Sequence, residues 1–238
     1  VEQALAGHFP EFAHIRIDRD TTRRKGELDR LLEQARSGAS RILLGTQMLA
    51  KGHHFPDVTL VGILDADHGL FSTDFRASER MAQLIVQVAG RAGRHERPGE
   101  VLIQTCHPEH PLLQLLITQG YPAFARAALA ERNMAGMPPV TSMALLRAEA
   151  PAADTAMGFL AAIQERIGKI GLPGIDVWGP VPATMERRAG RFRAQLLLQA
   201  KRRGDLQRLL STLVRQLEQT REARQVRWSV DVDPVDTY

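Results

Sequence analysis

Gln87-Val88-Ala89-Gly90-Arg91-Ala92-Gly93-Arg94 sets two arginines directly behind two glycines, at the end of the apolar run Met81-Ala82-Gln83-Leu84-Ile85-Val86. The run predicts a buried helix. Gly90 and Gly93 predict its end, where the backbone needs a left-handed or unhindered conformation. Two guanidiniums would then stand at a fixed turn. Arginine stays charged and offers a planar fork of donors, which suits a phosphoryl group in transfer. A basic helix end complementing the helix dipole accounts for the same eight residues, so the surrounding chain has to decide.

Outward from that turn, the pattern alternates. His14 to Ile17 predicts a short strand, and Arg24 to Arg36 a helix with Leu28, Leu31, Leu32 and Ala35 on one face. Arg41 to Gly45 and Thr59 to Leu64 are continuous apolar runs that predict fully buried strands; a helix over 78–89 and a strand over Glu100 to Thr105 follow. Strands alternating with helices at this spacing predict an α/β unit with a parallel sheet and helices on both faces. Working residues in such sheets sit on loops beyond the carboxyl ends of the strands. The loops after Leu44 and Leu64 and the arginine turn are therefore the candidate positions.

Beyond residue 108 the organisation changes. Pro111 to Gly120 and Tyr121 to Asn133 predict two helices leading to the Pro138-Pro139 break, a helical linker over 109–140. Strands follow at Met143 to Glu149, Ile175 to Trp178, Arg191 to Gln199 and Val226 to Val232, with helices at Asp154 to Ile170 and Asp205 to Gln219. The order β-α-β-β-α-β is the split pattern of ferredoxin-like α+β folds. Two domains are expected, 1–108 and 141–238.

Composition narrows the class. Hydrophobic residues make up 44% and charged residues 24% of the 238 residues, the balance of a water-soluble globular chain. No apolar run approaches the ~20 residues needed to span a membrane, and no secretory leader opens the chain, which starts on Val1 and is expected to be a fragment or processed product. Cys106 is the single cysteine; disulfide frameworks and cysteine-rich zinc sites are excluded, and a reducing, cytoplasmic setting is expected. The net charge of +4 is unevenly spread. Met185 to Arg227 holds 12 Lys/Arg against 4 Asp/Glu, leaving 19 against 23 elsewhere. A solvated helix face is the ordinary cause of a charge run, but an excess confined to one module favours a surface for nucleic acid or an acidic peptide.

Leu60-Val61-Gly62-Ile63-Leu64-Asp65 imitates a Walker-B strand, yet no G-x-x-x-x-G-K-[ST] run to cradle phosphates exists in the chain. Asp65 and Asp67 are therefore expected to cap local backbone rather than hold a metal. No metal role is expected for His53, His54, His107 or His110. The loop after Leu44, Gly45-Thr46-Gln47-Met48-Leu49-Ala50-Lys51-Gly52-His53-His54-Phe55-Pro56, offers glycines for close approach, short donors at a strand end and one charge.

This loop and the arginine turn, separated by one strand and one helix, resemble motifs V and VI of superfamily-2 helicases, the edges of the second RecA-like lobe. RIDRDTTRRKGELDRLL, ILLGTQMLAKGHHFPDVTLVGILDAD, FRASERMAQLIVQVAGRAGR, QTCHPEHPLL, ERNMAGMPP and GPVPATMERRAGRFRAQLLLQ look like the primosomal protein N′ (PriA) family of replication-restart DNA helicases, a resemblance that runs along the whole chain. It implies the C-terminal part of an ATP-dependent 3′-to-5′ helicase that acts at stalled forks. The phosphate-binding lobe and the family's zinc module lie outside this chain, so ATP and Mg²⁺ are expected only with that other lobe, and zinc not here.

By position, the resemblance implies that Arg91 and Arg94 face the γ-phosphate, that Gln87 orients their turn, and that Thr46, Gln47 and Lys51 touch the DNA backbone. Gly52 and His54 fall beside the nucleotide. Related helicases commonly have Asp where His54 stands, which leaves its ribose contact open. The resemblance further implies that the C-terminal module contacts DNA and the acidic tail of single-strand-binding protein, the latter at Arg203 and Gln207 beside the basic run Lys201-Arg202-Arg203. Forked and single-stranded DNA, the primosome proteins PriB and DnaT and, indirectly, the replicative helicase are the implied partners. The alternative of another class is a non-catalytic unit that binds nucleic acid and proteins.

Overall fold

Alternation of apolar and polar residues in His14–Ile17 gives β1, which lies parallel to β2 (Ile42–Gly45), with His14 opposite Ile42 and Ile17 opposite Gly45. The computed structural model describes residues 1–18, 21–22, 24, 26–46, 58–90 and 99–236. Helix α1 (Glu2–His8) precedes β1, and α2 (Glu27–Arg36) connects the two strands. Leu31 and Leu32 of α2 bury against Ile15 and Ile17, with Leu28, Ala35, Leu43 and Val58 packed alongside. That is the stripe the sequence predicts. The helix starts at Glu27 rather than Arg24, because a turn closed by the Glu27 N–H on the Arg24 carbonyl (3.1 Å) precedes it.

A second parallel pair, β3 (Leu60–Ile63) with β4 (Glu100–Ile103), follows. Between them come the short α3 (Asp67–Leu70) and α4 (Ala77–Ala89). Two expectations need correction here. Among the described residues the parallel strands form two separate two-stranded sheets, not one sheet. Nor are β2 and β3 fully buried: Ile42 to Leu44 are only half-buried, and Leu60 and Leu64 are each 55% exposed. A two-stranded sheet leaves each strand an open edge, so its apolar side chains are covered on one side at most. Helices α3 and α4 cross tightly at Gly69, where an added Cβ would sit 2.5 Å from the Met81 Cβ. Helices α5 (Pro111–Gln119), with Pro111 opening its first turn, and α6 (Tyr121–Met134) complete the linker region.

The chain divides into two units, Val1–Phe71 with Ala77–Phe124, and Ser72–Arg76 with Ala125–Tyr238. In the second unit, β5 (Ser142–Ala150), β6 (Ile175–Arg188), β7 (Arg191–Ala200) and β8 (Arg227–Val232) form one antiparallel sheet in the order β6-β7-β5-β8. Helices α7 (Ala153–Ile170) and α8 (Arg203–Glu218) cover one face, and the short α9 (Arg221–Gln225) leads into β8. Alternate residues Ala144, Leu146 and Ala148 of β5 and Ala194, Leu196 and Leu198 of β7 meet Phe159, Leu160 and Ile163 of α7 and Leu206, Leu209 and Leu213 of α8. Small residues on the strands let the helix leucines seat close to the sheet.

Strand β6 is the main departure in this unit. The sequence predicts a strand ending at Trp178; β6 runs on to Arg188. Pro180 and Pro182 read as a stop, but β6 is an edge strand, where proline leaves no ladder bond unmade. Its register breaks after Trp178 and again after Pro182. The two-residue turn Ala189-Gly190, both at positive φ (49° and 77°), then closes the hairpin.

Candidate functional site

Gln87 lies on the last turn of α4, exposed, while Met81, Ala82 and Ile85 bury the opposite face. The Gly90 N–H closes on the Val86 carbonyl at 3.0 Å, so the helix ends where the glycine predicts. Gln83 anchors the helix, donating to Glu79 (3.1 Å) and to the Tyr121 hydroxyl (3.2 Å) at the start of α6. Thr46 follows β2 at its carboxyl end and is exposed. Arg91, Arg94, Gln47, Lys51, Gly52 and His54 lie outside the described residues. Thr46 and Gln87 share no hydrogen bond among the described residues.

Beyond the carboxyl ends of β3 and β4 the loops are tied together through Asp67. One carboxylate oxygen accepts from the Thr105 hydroxyl and the other from the Cys106 N–H (2.8 Å), while the Thr105 Oγ1 accepts from the His107 N–H (2.9 Å). Asp65, at φ 56°, accepts the His68 N–H at 3.3 Å. Asp65 caps local backbone, as the sequence predicts, whereas the partners of Asp67 lie on the distant Thr105–Cys106 stretch. The hydrogen bonds from Thr105 and then Cys106 hold the Asp67 carboxyl below its ordinary value, and the same carboxylate pushes the Cys106 thiol up. Phe71 packs edge-on to the His107 and His110 rings at 4.6 and 5.6 Å. At the end of β1, Asp18 makes a similar cage. It accepts the Thr21 N–H (2.8 Å) and the Arg16 guanidinium (2.6 Å), and the Thr21 N–H contributes most to keeping its carboxyl ionised.

In the second unit Arg203 opens α8, and Gln207 follows one turn later on the same exposed face. Arg203 is not a bare cation. Its Nη2 pairs with Asp233 Oδ2 at 3.1 Å, just past the end of β8, with side-chain exposures of 69% and 39%. Arg208, one position beyond Gln207, is held by Asp205.

Sequence reasoning passes over one further feature. On the sheet face away from the helices lie Trp178, Leu197, Leu145 and Val181, with Arg188, Arg191, Arg193 and Arg227 toward the hairpin end. The prolines of β6 hide the strand alternation that would have put Val181 on this face.

Comparison with known proteins follows this division. Residues 3–96 match the helicase conserved C-terminal domain, and residues 133–235 match the primosomal protein N C-terminal domain. The replication restart protein PriA of Haemophilus influenzae is 48% identical over 99% of the chain and 32% of its own length. PriA of Bacillus subtilis is 39% identical over 98% of the chain and 29% of its own length, and that of Synechocystis is 41% identical over 83% and 24%. The chain thus spans about a third, or less, of the length of these curated relatives.

Proposed function

Because the chain belongs to the PriA family of replication restart proteins and carries its two C-terminal domain models, we propose that it is the distal part of an ATP-dependent 3′-to-5′ superfamily-2 DNA helicase that restarts stalled forks and works in the cytoplasm. Residues 1–108 form the second RecA-like lobe, 109–140 the helical linker and 141–238 the ferredoxin-like domain. The strand order β6-β7-β5-β8 supports the last reading. One observation carries the proposal: the helicase match over 3–96 encloses both the Thr46 loop and the Gln87–Arg94 turn.

The residues present fit half of a nucleotide site. Asp67 is tied to Thr105 and Cys106, and the sequence has no phosphate-cradling loop. ATP and Mg²⁺ belong, in this reading, with the lobe outside the chain. ATP, when bound there, supplies the phosphoryl group whose transfer to water drives movement along DNA. The part of this chain is charge and position. Arg91 and Arg94 neutralise charge building on the transferred group, following a helix that ends at Gly90 and carries Gln87 to orient them. Gly52 and His54 border the nucleotide, and Thr46, Gln47 and Lys51 grip the DNA backbone. Arg203 and Gln207 receive the acidic tail of single-strand-binding protein. Forked and single-stranded DNA and the other primosome proteins complete the partners.

ATP turnover by the full-length protein carrying Arg91→Ala or Arg94→Ala tests this. A loss of about 10³-fold or more is expected. Normal turnover with lowered thermal stability would reduce the arginines to a helix end.

A further inference from the structure

Two of the stretches that carry the family resemblance, FRASERMAQLIVQVAGRAGR and ERNMAGMPP, hold residues to which the proposed motor gives no task. The structure brings them together. Phe75 opens the first stretch, and the guanidinium of Arg132, in the second, lies 5.3 Å from the centroid of its ring. The Arg76 guanidinium lies over the same ring, also at 5.3 Å. Two cations that would repel each other are thus drawn to one aromatic ring, whose π faces are negative. The backbone beside the ring is fixed as well. Asp74, only 3% exposed, accepts the Arg76 N–H at 2.9 Å and donates its own N–H to the Ser72 hydroxyl at 3.2 Å. This turn, closed by its own side chains, delivers the chain into α4 at Ala77. Helix α6 supplies a second hold, because Tyr121 at its start accepts from Gln83 of α4 at 3.2 Å. Each contact lies inside one of the two units of the chain, Gln83–Tyr121 in the first and Phe75–Arg132 in the second.

We propose that Phe75 and Arg132 are positioning residues for ATP hydrolysis: their contact holds the entry of α4, and α4 carries that placement to the arginine turn at its other end. The inference rests on the reading of Arg91 and Arg94 as the groups that meet the transferred phosphate. The lever is long enough to matter. The 13 residues of α4 span about 20 Å at ~1.5 Å per residue, so a tilt of about 3° at the entry moves the Gly90 end by about 1 Å. A misplacement of ~1 Å costs catalysis on the order of 10²-fold. The core of α4 does not depend on the ring. Its buried side chains are Met81, Ala82 and Ile85, whereas Phe75 and Arg132 are half-buried.

The test is DNA-stimulated ATP turnover by the full-length protein, with DNA affinity and thermal melting measured beside it. Phe75→Leu keeps apolar bulk and removes the ring, while Arg132→Gln keeps length and removes the charge. Each should lower kcat by about 10- to 100-fold. The KM for ATP and the affinity for DNA should stay within about twofold, because neither residue touches ATP or DNA. The double variant should be worse than the weaker single variant by no more than about twofold, since either change breaks the same contact. Phe75→Tyr keeps the ring face and should hold kcat within about threefold of the parent. Arg126→Gln, an exposed arginine on the same helix, should turn over at the parent rate. Unchanged kcat in Arg132→Gln, beside an inactive Arg94→Ala, overturns the positioning role and leaves the motor reading standing. Normal turnover in Arg94→Ala removes the motor reading and this inference with it. Additive losses, an equal loss in Arg126→Gln, a raised KM at constant kcat, or a kcat that falls only in step with the folded fraction each overturn it. If Phe75→Leu melts below the assay temperature, Arg132→Gln decides alone.

Discussion

Replacing Asp233 by asparagine should tighten the hold of the second unit on an acidic peptide. Asp233 Oδ2 sits 3.1 Å from Arg203 Nη2, so a carboxylate arriving at Arg203 must displace a partner already there. The resident pair is mostly solvated, with side-chain exposures of 69% and 39%, and exposed pairs contribute only ~0.2–1 kcal/mol. Removing that competitor should raise affinity by about 1.4- to 5-fold. Arg203→Ala removes the charged donor itself, a loss of ~1.5–3 kcal/mol, or roughly 10- to 150-fold. Folding stability should move by less than ~1 kcal/mol in either variant. The assay is anisotropy of a labelled acidic peptide with a free C-terminal carboxylate, titrated with parent, Asp233→Asn, Arg203→Ala and Arg215→Ala at one salt concentration. Weaker binding by Asp233→Asn would refute competition and make Asp233 a positioning residue for Arg203. Equal, small losses in Arg203→Ala and Arg215→Ala would dissolve the site into a diffuse basic surface.

The isolated chain should show no ATP turnover above buffer; steady hydrolysis that survives Arg94→Ala would sink the half-site reading. In the full-length protein, DNA affinity should hold within a few-fold when Arg91 or Arg94 becomes alanine, measured beside the ATP assay. Asp67→Asn should lower the melting temperature at neutral pH. Because the folded carboxyl lies below its ordinary value, its contribution is full above the ordinary aspartate range and fades as pH falls through the folded value. The gap from the parent should therefore close in acid, and a gap independent of pH would refute a charged cap. Gly69→Ala should destabilise by about 1–3 kcal/mol, since its Cβ would collide with Met81; urea melts of the chain measure this.

Periodicity carried the helices well because a helix declares its own buried stripe. Leu28, Leu31, Leu32 and Ala35 meet one small core, and Met81, Ala82 and Ile85 turn inward while Gln87 turns out. Strands declare less. The apolar run around Leu60 and Leu64 says that both faces want cover, but not which neighbour supplies it, and both side chains stay more than half exposed. The half of β6 beyond Trp178 escaped for a different reason. Gly179, Pro180 and Pro182 carry the same local signal in a turn as in an edge strand with two register breaks, and only the pairing with β7 tells the two apart. Val181 therefore could not be placed on a face from the sequence. The helix end at Gly90 was legible, whereas the chemistry of Arg91 and Arg94 came from resemblance, because phosphate placement depends on a lobe outside this chain.

The basic excess of residues 185–227 shows why a charge count and a charge map differ. Arg203 is matched by Asp233, thirty positions away in sequence, and Arg208 by Asp205; Arg193 and Arg227 both turn to Glu149, outside the counted segment. Arg187 lies over the Phe192 ring at 5.2 Å, its charge intact but its direction set. The count is right about the sign and the long-range field, which steers an anion toward the module. It does not say where the anion stops. That depends on which guanidiniums keep unmet donors next to a surface that can bury something apolar. Arg203, already paired with Asp233, is the place proposed for the acidic tail.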